Sequence, residues 1–297
     1  MSSIHDLVSG ARQRLRAAGI DPTEADLDAR LLAQHLLGWD AARYFADASR
    51  QAGDDFQAGF AVIVGRRAAR EPMAYITGSQ EFWGLRFEVG PSVLIPRPET
   101  ELIVEVCLER WPRDAARRVV DVCTGSGCVA VALAAERPAA RLVASDVSFD
   151  ALVVARRNAV RHGAAGRIAF VQADLLAGIP GPFDLIVSNP PYVPMVEAAT
   201  LPPEVVEHEP GLALFGGSDG LRFIRALVAQ ASERLAPEGT LIFELGFGQH
   251  ESVSRILAAS GFTAVEFRRD LQGIPRTAVA SRTAPRTPDR GASPQAG

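Results

Sequence analysis

The stretch Val119-Val120-Asp121-Val122-Cys123-Thr124-Gly125-Ser126-Gly127-Cys128 decides the fold. Its first half is an apolar strand, and its second half is a glycine-containing turn that opens a helix. The missing Cβ atoms of Gly125 and Gly127 would allow a ligand to approach the backbone, and the helix N-terminus offers free N–H groups. The stretch therefore predicts the ligand-binding turn of an α/β domain; a glycine turn that only packs is the alternative.

An acidic residue ends the next predicted strand. Asp146 follows Gly127 by 19 residues, which is the place where a carboxylate can bind two ribose hydroxyls. We therefore expect a nucleoside-bearing cofactor at the carboxyl ends of the strands. The turn does not show which cofactor it is, because Cys128 is followed by Val129 and Ala130 and the full G-x-G-x-x-G dinucleotide pattern is absent.

From Arg118 onward, strands and helices alternate along the sequence. Helices are predicted near 127–136, 149–162 and 220–235. The predicted strands are Val119–Cys123, Leu142–Ser145, Ile168–Val171, Phe183–Ser188 and Gly239–Leu245, closed by Phe262–Phe267 and Arg276–Ala280. Because these strands are continuously apolar, they predict a mostly parallel sheet that is covered on both faces.

The chain before this region is predicted to begin with helices only. Ile4 starts a first helix, and a third runs from about Asp54 to Arg70. In the second helix, a cap from Thr23 and Asp26 is expected, followed by a buried stripe of Leu27, Leu31, Leu32 and Leu36. The aromatic and β-branched stretches 75–78 and 82–89 predict a hairpin. The expected organisation is a helical domain (1–72), a β-hairpin linker (73–92), the α/β domain (93–282) and a disordered tail (283–297).

The end of the strand Phe183–Ser188 carries the motif Asn189-Pro190-Pro191-Tyr192. The prolines rigidify the loop and remove N–H donors, which leaves backbone carbonyls as acceptors. The Asn189 side-chain oxygen and the Pro190 carbonyl could bind the two hydrogens of a planar NH₂ group, with Tyr192 stacking on it. That arrangement favours attack of the nitrogen on a methyl sulfonium by positioning and electrostatics. The motif predicts methyl transfer from S-adenosylmethionine; a proline turn capped by Asn is the alternative.

Composition excludes several classes of protein. The 297 residues carry a net charge of −4, and no block of Lys or Arg stands out, so we expect no sequence-specific nucleic-acid binding. Three cysteines without metal-ligand spacing indicate reduced thiols and no metal site. No signal peptide or membrane span is recognisable. We expect a soluble, cytoplasmic protein.

A few further residues are weaker candidates. Glu244 lies inside an apolar strand, where a buried carboxylate needs a partner. Asp174 lies just past a strand and could sit near an adenine ring. Phe82 and Trp83 are read equally as hairpin core or as a cover of the active site, and His208 as a loop residue. Cys123 has no neighbouring histidine and is not expected to be a nucleophile.

Taken together, these motifs resemble the PrmC/HemK family, which methylates the glutamine side-chain amide of peptide-chain release factors. The likeness extends over most of the chain and includes, besides the motifs above, 81–84, 94–101 and 243–246. The resemblance implies a Rossmann-like class I methyltransferase fold, with a seven-stranded sheet whose last strand is reversed. It implies as substrate the glutamine of the Gly-Gly-Gln loop of release factors. We further expect a monomer whose helical domain helps to dock the protein substrate, because one glutamine offers little surface for selection.

The site residues expected on this basis fall into two groups. The catalytic and substrate-binding residues are Asn189, Pro190, Pro191 and Tyr192. The cofactor-binding residues are Asp121, Cys123, Thr124, Gly125, Ser126, Gly127, Asp146, Asp174, Leu175 and Asn189. Where some relatives place an aromatic residue against the adenine, this chain has Leu175, so stacking is not expected there.

Alternatives remain open within this chemistry. The family's turn begins with glycine where this chain has Cys123, and Cys123–Cys128 together with the segment 201–210 resembles a branch that methylates a glutamine of a large-subunit ribosomal protein. Arg97-Pro98-Glu99-Thr100 and Gly273-Ile274-Pro275-Arg276 resemble the release-factor branch, which we favour. A DNA or RNA amino-methyltransferase shares the Asn-Pro-Pro-Tyr motif, and a non-catalytic binding module would keep the fold and the cofactor pocket for recognition.

Overall fold

A computed structural model describes residues 2–282 of the chain. The helices are α1 (Ile4–Ala17), α2 (Pro22–Leu37), α3 (Ala41–Asp47), α4 (Asp54–Ala68), α5 (Met73–Thr77), α6 (Glu101–Arg110), α7 (Cys128–Glu136), α8 (Phe149–Arg161), α9 (Pro203–His208), α10 (Gly211–Leu214), α11 (Arg222–Arg234) and α12 (His250–Ala259). The strands are β1 (Ser79–Phe82), β2 (Leu85–Glu88), β3 (Arg118–Val122), β4 (Arg141–Asp146), β5 (Ile168–Gln172), β6 (Phe183–Ser188), β7 (Leu235–Glu244), β8 (Ala264–Arg269) and β9 (Pro275–Ser281). The disorder expected for 283–297 lies outside the described residues.

The chain divides into two compact units. The first comprises the chain up to Gln80, Glu88–Ile95 and Ala199–Pro210, and the second comprises Glu81–Phe87, Pro96–Ala198 and the chain from Gly211 onward. The first unit is helical, as expected. Its helices α3, α5 and α9 are short and were not predicted. Tyr75–Thr77, expected in a strand, lies in α5.

The stripe predicted for α2 is wrong for three of its four leucines. Leu32 is buried, but Leu27, Leu31 and Leu36 are 44, 38 and 40% exposed. The helix instead turns Asp28 inward, because its carboxylate accepts a hydrogen bond from Arg67 Nε at 2.7 Å. The other buried residues of the helix are Ala25, Ala29, Leu32, Ala33 and Gln34.

The predicted cap of α2 is also wrong. Thr23 is already inside the helix, and Asp21 is the capping residue, since its carboxylate accepts from the Thr23 amide at 2.8 Å. Asp26 faces outward and pairs with Arg16 at 2.7 Å. Proline at the first helical position follows the capping aspartate, as is usual for a helix start.

The second unit is built on a seven-stranded sheet of order β5-β4-β3-β6-β7-β9-β8. All pairs are parallel except those of β9, which runs antiparallel to β7 and to β8. The predicted seven-stranded sheet with a reversed last strand is therefore confirmed. Helices α6 and α7 cover one face and α11 and α12 the other. Strand order reverses between β3 and β6, which marks the crevice where open α/β sheets bind ligands.

The hairpin β1–β2 turns through Trp83 and Gly84, both at positive φ (53° and 65°), as a two-residue turn of this kind requires. Phe82 and Phe87 pack edge to face in the core of the second unit, with ring centroids 6.1 Å apart. Trp83 Nε1 donates to Glu136 at 3.0 Å. Phe82 is therefore a core residue, whereas Trp83 is partly buried and packs against that core.

Candidate active site

The two motifs singled out in the sequence follow neighbouring strands. Val122, the last residue of β3, pairs in register with Ser188, the last residue of β6. The Ser188 hydroxyl also donates to the Val122 carbonyl at 2.8 Å. Cys123 and Asn189 are consequently the first residues beyond two adjacent strands. The glycine turn and the Asn-Pro-Pro-Tyr loop thus meet at the point where the strand order reverses.

The buried side chain of Asp121 is hydrogen-bonded to the glycine turn. Its carboxylate is 1% exposed and accepts from the Thr124 hydroxyl at 2.6 Å and from the Ala130 amide at 3.1 Å. Burial raises the pKa of Asp121 to about 7, although both hydrogen bonds act in the opposite direction. Through these two bonds the buried carboxylate supports the turn and the start of α7.

The two positions of the turn, 125 and 127, favour glycine for different reasons. Gly125 adopts a φ of 54°, and a Cβ built there would meet nothing within 4 Å, so the space above it is open to a ligand. Gly127 adopts a φ of 79°, and a Cβ there would lie 3.0 Å from Cβ of Ala155 in α8. Gly125 therefore fits the expected approach of a ligand, whereas Gly127 allows two helices to pack closely.

The expected ribose-binding acid lies beside the open glycine. Asp146 Oδ2 accepts from the Gly125 amide at 2.9 Å, and Oδ1 accepts from the Ser148 amide at 2.9 Å. Burial raises the pKa of Asp146, and these backbone bonds counteract that rise. The nearby Ser126 hydroxyl is buried and has no hydrogen-bond partner among the described residues. A carboxylate with spare lone pairs, open space at Gly125 and this hydroxyl suit a polar, hydroxyl-bearing ligand.

Three further residues that were expected to bind the cofactor differ in their environments. Leu175 is buried in the apolar core at a φ of 54°, and its carbonyl accepts from Ser145 Oγ at 3.0 Å. Asp174 is exposed just beyond β5. Cys123 adopts a φ of 58°, the conformation in which glycine is preferred. Burial raises the pKa of its thiol well above the ordinary value.

Asn189 belongs to a chain of side-chain hydrogen bonds. Its Nδ2 donates to Thr100 Oγ1 at 3.0 Å, and Thr100 Oγ1 donates to Glu244 Oε2 at 2.6 Å. The Tyr192 hydroxyl donates to the other oxygen, Glu244 Oε1, at 2.8 Å. Glu244 is 1% exposed, and burial raises its pKa. The buried carboxylate thus has the hydrogen-bond partners that its position in an apolar strand requires. One partner, Tyr192, belongs to the Asn189–Tyr192 loop, and the other, Thr100, is bonded to Asn189.

The backbone of this loop is held by residues that the sequence analysis did not identify. Gln249 Nε2 donates to the Tyr192 carbonyl at 2.9 Å, and its Oε1 accepts from the Gly246 amide at 2.8 Å. A Cβ at Gly216 would lie 2.6 Å from the Pro191 carbonyl oxygen, which no real Cβ tolerates. The glycines at 216, 217 and 220 are the only sequence signal that could have indicated this close backbone approach.

Two other titratable residues, Glu101 and His208, make hydrogen bonds elsewhere in the structure. Glu101 accepts from the Trp83 amide at 2.6 Å and so fixes the hairpin turn. The expectation of His208 in a loop is wrong, because His208 is the last residue of α9 in the first unit. Its Nε2 lies 3.3 Å from the Ala69 carbonyl. Within residues 2–282 no helix is long and apolar enough to cross a membrane. The described part of the chain also contains no cluster of three potential metal ligands.

Comparison with known proteins shows two families along the chain. The family described as the PrmC N-terminal domain matches residues 6–78, and the methyltransferase small domain matches residues 99–207. The release factor glutamine methyltransferase of Bradyrhizobium diazoefficiens is 46% identical over 276 residues, with 92% of each chain covered. The release factor glutamine methyltransferase of Deinococcus radiodurans is 42% identical over 279 residues, covering 94% of this chain and 98% of that one.

Solved structures share the fold at low identity. The catalytic domain of hMettl16, crystallised with the MAT2A 3′UTR hairpin 1, superposes with a TM-score of 0.56 at 18% identity, covering 74% of this chain and 81% of that one. At this identity the likeness shows the fold alone, and it agrees with the class I arrangement of the seven-stranded sheet.

Proposed function

The chain belongs to the release factor glutamine methyltransferase family, and we propose that it transfers a methyl group from S-adenosylmethionine to the side-chain amide nitrogen of the glutamine in the Gly-Gly-Gln motif of peptide-chain release factors. The observation that carries this proposal is the position of Asn189 directly beside the glycine turn, with its Nδ2 already engaged by Thr100. The amide oxygen is then the atom that remains to accept a hydrogen bond from a substrate.

The residues around Gly125 fit the nucleoside part of the methyl donor. Asp146 can accept hydrogen bonds from ribose hydroxyls, Gly125 leaves space for the ligand, and Ser126 offers a buried hydroxyl without a partner. Bound there, S-adenosylmethionine would supply an electrophilic methyl sulfonium. Asp121 contributes indirectly, because it holds Thr124 and therefore the turn.

The chain's own task is to present the glutamine amide. Asn189 Oδ1 and the Pro190 carbonyl can each accept one N–H of the NH₂ group, which fixes its direction. Acceptors on both hydrogens favour the loss of conjugation that an attacking amide nitrogen must undergo, and Tyr192 walls the planar group. No strong base is needed before the attack, since the rate gain comes from orientation and from preorganised dipoles. As the N–C bond forms, the methyl–sulfur bond would break with S-adenosylhomocysteine as the leaving group, and the proton that the methylated nitrogen then loses would pass to water.

We further propose that the helical domain, residues 1–72, docks the release factor, with 73–92 linking it to the methyltransferase domain, 93–282. Exposed apolar side chains on this domain support the proposal, notably Leu27, Leu31 and Phe45. Substituting Leu27→Ser and Leu31→Ser together should raise KM for a whole release factor but not for a short Gly-Gly-Gln peptide. Equal KM changes for both substrates would contradict docking here. The partner implies a cytoplasmic enzyme, and we expect a monomer.

The function is tested by incubating the full chain with S-adenosylmethionine and a purified release factor, followed by mass mapping of the product. We expect one added methyl on the Gly-Gly-Gln glutamine, and loss of this product in Asn189→Ala. An unmodified release factor would overturn the proposal. Methyl on a large-subunit ribosomal protein or on a nucleic-acid base, tested in parallel, would reassign the substrate, and an unaffected Asn189→Ala would overturn the mechanism.

A further inference from the structure

The proposed mechanism requires one particular orientation of the Asn189 side chain. An asparagine amide has two ends of similar shape, an oxygen that accepts and an NH₂ group that donates. Only the oxygen can bind the N–H of a substrate amide. If the Asn189 amide were rotated by half a turn, its NH₂ group would face the NH₂ group of the substrate, and two donors cannot form a hydrogen bond. Something in the protein must therefore select the orientation.

The direction of the hydrogen bonds around Thr100 provides that selection. As a carboxylate, Glu244 only accepts, and it accepts from the Thr100 hydroxyl at 2.6 Å and from the Tyr192 hydroxyl at 2.8 Å. The Thr100 hydroxyl has one hydrogen, which it gives to Glu244. Its oxygen is then an acceptor toward Asn189, so the Asn189 NH₂ group faces Thr100, at 3.0 Å, and Oδ1 faces away.

We infer that Thr100 and Glu244 are positioning residues that fix Asn189 with its oxygen toward the substrate amide. The inference rests on the proposed amide methylation but assigns roles to two residues that do not themselves touch the substrate. Glu244 has a second effect through Tyr192, because the same carboxylate anchors the ring that walls the planar group. Both oxygens of one buried carboxylate thus organise both ends of the Asn189–Tyr192 loop.

The decisive comparison uses two substitutions at Thr100 and a matched control. Thr100→Val keeps the shape and removes the hydroxyl, whereas Thr100→Ser keeps the hydroxyl. Thr277→Val is the control, because Thr277 is buried on β9 directly opposite Glu244 in the ladder and its hydroxyl has no partner among the described residues. Glu244→Gln tests direction, since its amide can donate to Thr100 and release the threonine hydrogen toward Asn189 Oδ1.

The readouts are kcat and KM for methylation of the release factor, with S-adenosylmethionine binding and melting temperature measured beside them. We expect Thr100→Val and Glu244→Gln each to lower kcat by about 10-fold to 100-fold, with KM for S-adenosylmethionine changed less than about threefold. Thr100→Ser should stay near wild type, and Thr277→Val within about twofold. The double variant should lose little more than either single variant, since the two groups act as a unit.

Several results would overturn the inference. Thr100→Val as active as Thr277→Val would show that the hydroxyl is not needed, and Thr100→Ser as impaired as Thr100→Val would show that packing, not hydrogen bonding, matters. A wild-type protein that methylates no release factor would instead overturn the proposed function. In that case side-chain NMR still tests the orientation: contacts from the Asn189 NH₂ protons to the Thr100 side chain are expected in wild type and should weaken in Glu244→Gln, and their absence in wild type would refute the inference.

Discussion

Replacing Asp121 by asparagine separates the charge of this buried carboxyl from the hydrogen bonds it makes. The carboxylate accepts from Thr124 and from the Ala130 amide, and an asparagine oxygen can accept the same two bonds. Burial raises the pKa of Asp121 from 3.8 to about 7. Between these values the folded protein keeps a proton that the unfolded chain has released. The free energy of unfolding should therefore fall as the pH rises through this window.

The size of the effect follows from the two pKa values. Between about pH 5 and about pH 8, titration of this one group should remove about 2.5 kcal/mol from the free energy of unfolding of the wild-type protein. Asp121→Asn has no charge to bury, so its stability relative to wild type should grow by the same amount of about 2.5 kcal/mol over that range. The result would show that Asp121 supports the turn through its hydrogen bonds and at the expense of stability near neutral pH.

Urea unfolding of both proteins at the two pH values, followed by far-ultraviolet circular dichroism, measures this difference directly. Asp121→Ala is the comparison, because it removes the charge together with both hydrogen bonds to the turn. It should be less stable than Asp121→Asn by about 1–3 kcal/mol at either pH. A stability difference between wild type and Asp121→Asn that stays constant from the lower to the higher pH would refute the argument that a charge is buried here.

Three further substitutions test other parts of the structure. Arg67→Met leaves the buried Asp28 carboxylate without its Nε partner and should lower the free energy of unfolding by about 3–5 kcal/mol in urea titration; unchanged stability would mean that the pair is dispensable. Gly216→Ala places a Cβ 2.6 Å from the Pro191 carbonyl oxygen, so kcat should fall at least about tenfold, and a wild-type kcat would contradict the close packing. Cys123→Gly relieves a φ of 58° and should raise the free energy of unfolding by up to about 1 kcal/mol, whereas a clear loss would show that the thiol packs favourably.

The parts of the fold that could be predicted are those that local sequence determines. Phe183–Ser188 is predicted and observed with the same bounds, because a short, mostly apolar run between Pro182 and Asn189-Pro190 allows one interpretation. The glycine turn and the loop from Asn189 to Tyr192 were placed correctly for a topological reason. Ends of parallel strands share one edge of a sheet, so two motifs at strand ends come together even when the register is unknown.

The sequence-based predictions fail, or are silent, where a contact with a residue far away in the sequence determines the local structure. The leucines of α2 have helical spacing, but Asp28, on the face of Leu32, pairs with a residue 39 positions away, and that ion pair turns the helix. The bond from Thr100 to Glu244 joins residues 144 positions apart. Neither residue type nor spacing shows such a bond; the sequence indicated only that Glu244 needed a partner. The close approach of Gly216 to Pro191 depends equally on tertiary structure.

The arrangement at the end of β6 has a consequence for how the enzyme can be altered. Asn189 is held by Thr100, the Tyr192 ring by Glu244 and the Tyr192 carbonyl by Gln249, so each element of the loop has its own support. In a site fixed in this way, the conformational entropy of the loop is lost during folding and not in each catalytic cycle. Substitutions in the supports should then reduce kcat while the substrate-contacting groups remain present, and mutational sensitivity should extend to β7 and the loop that follows it. The residues that touch the substrate are therefore a smaller set than the residues on which its orientation depends.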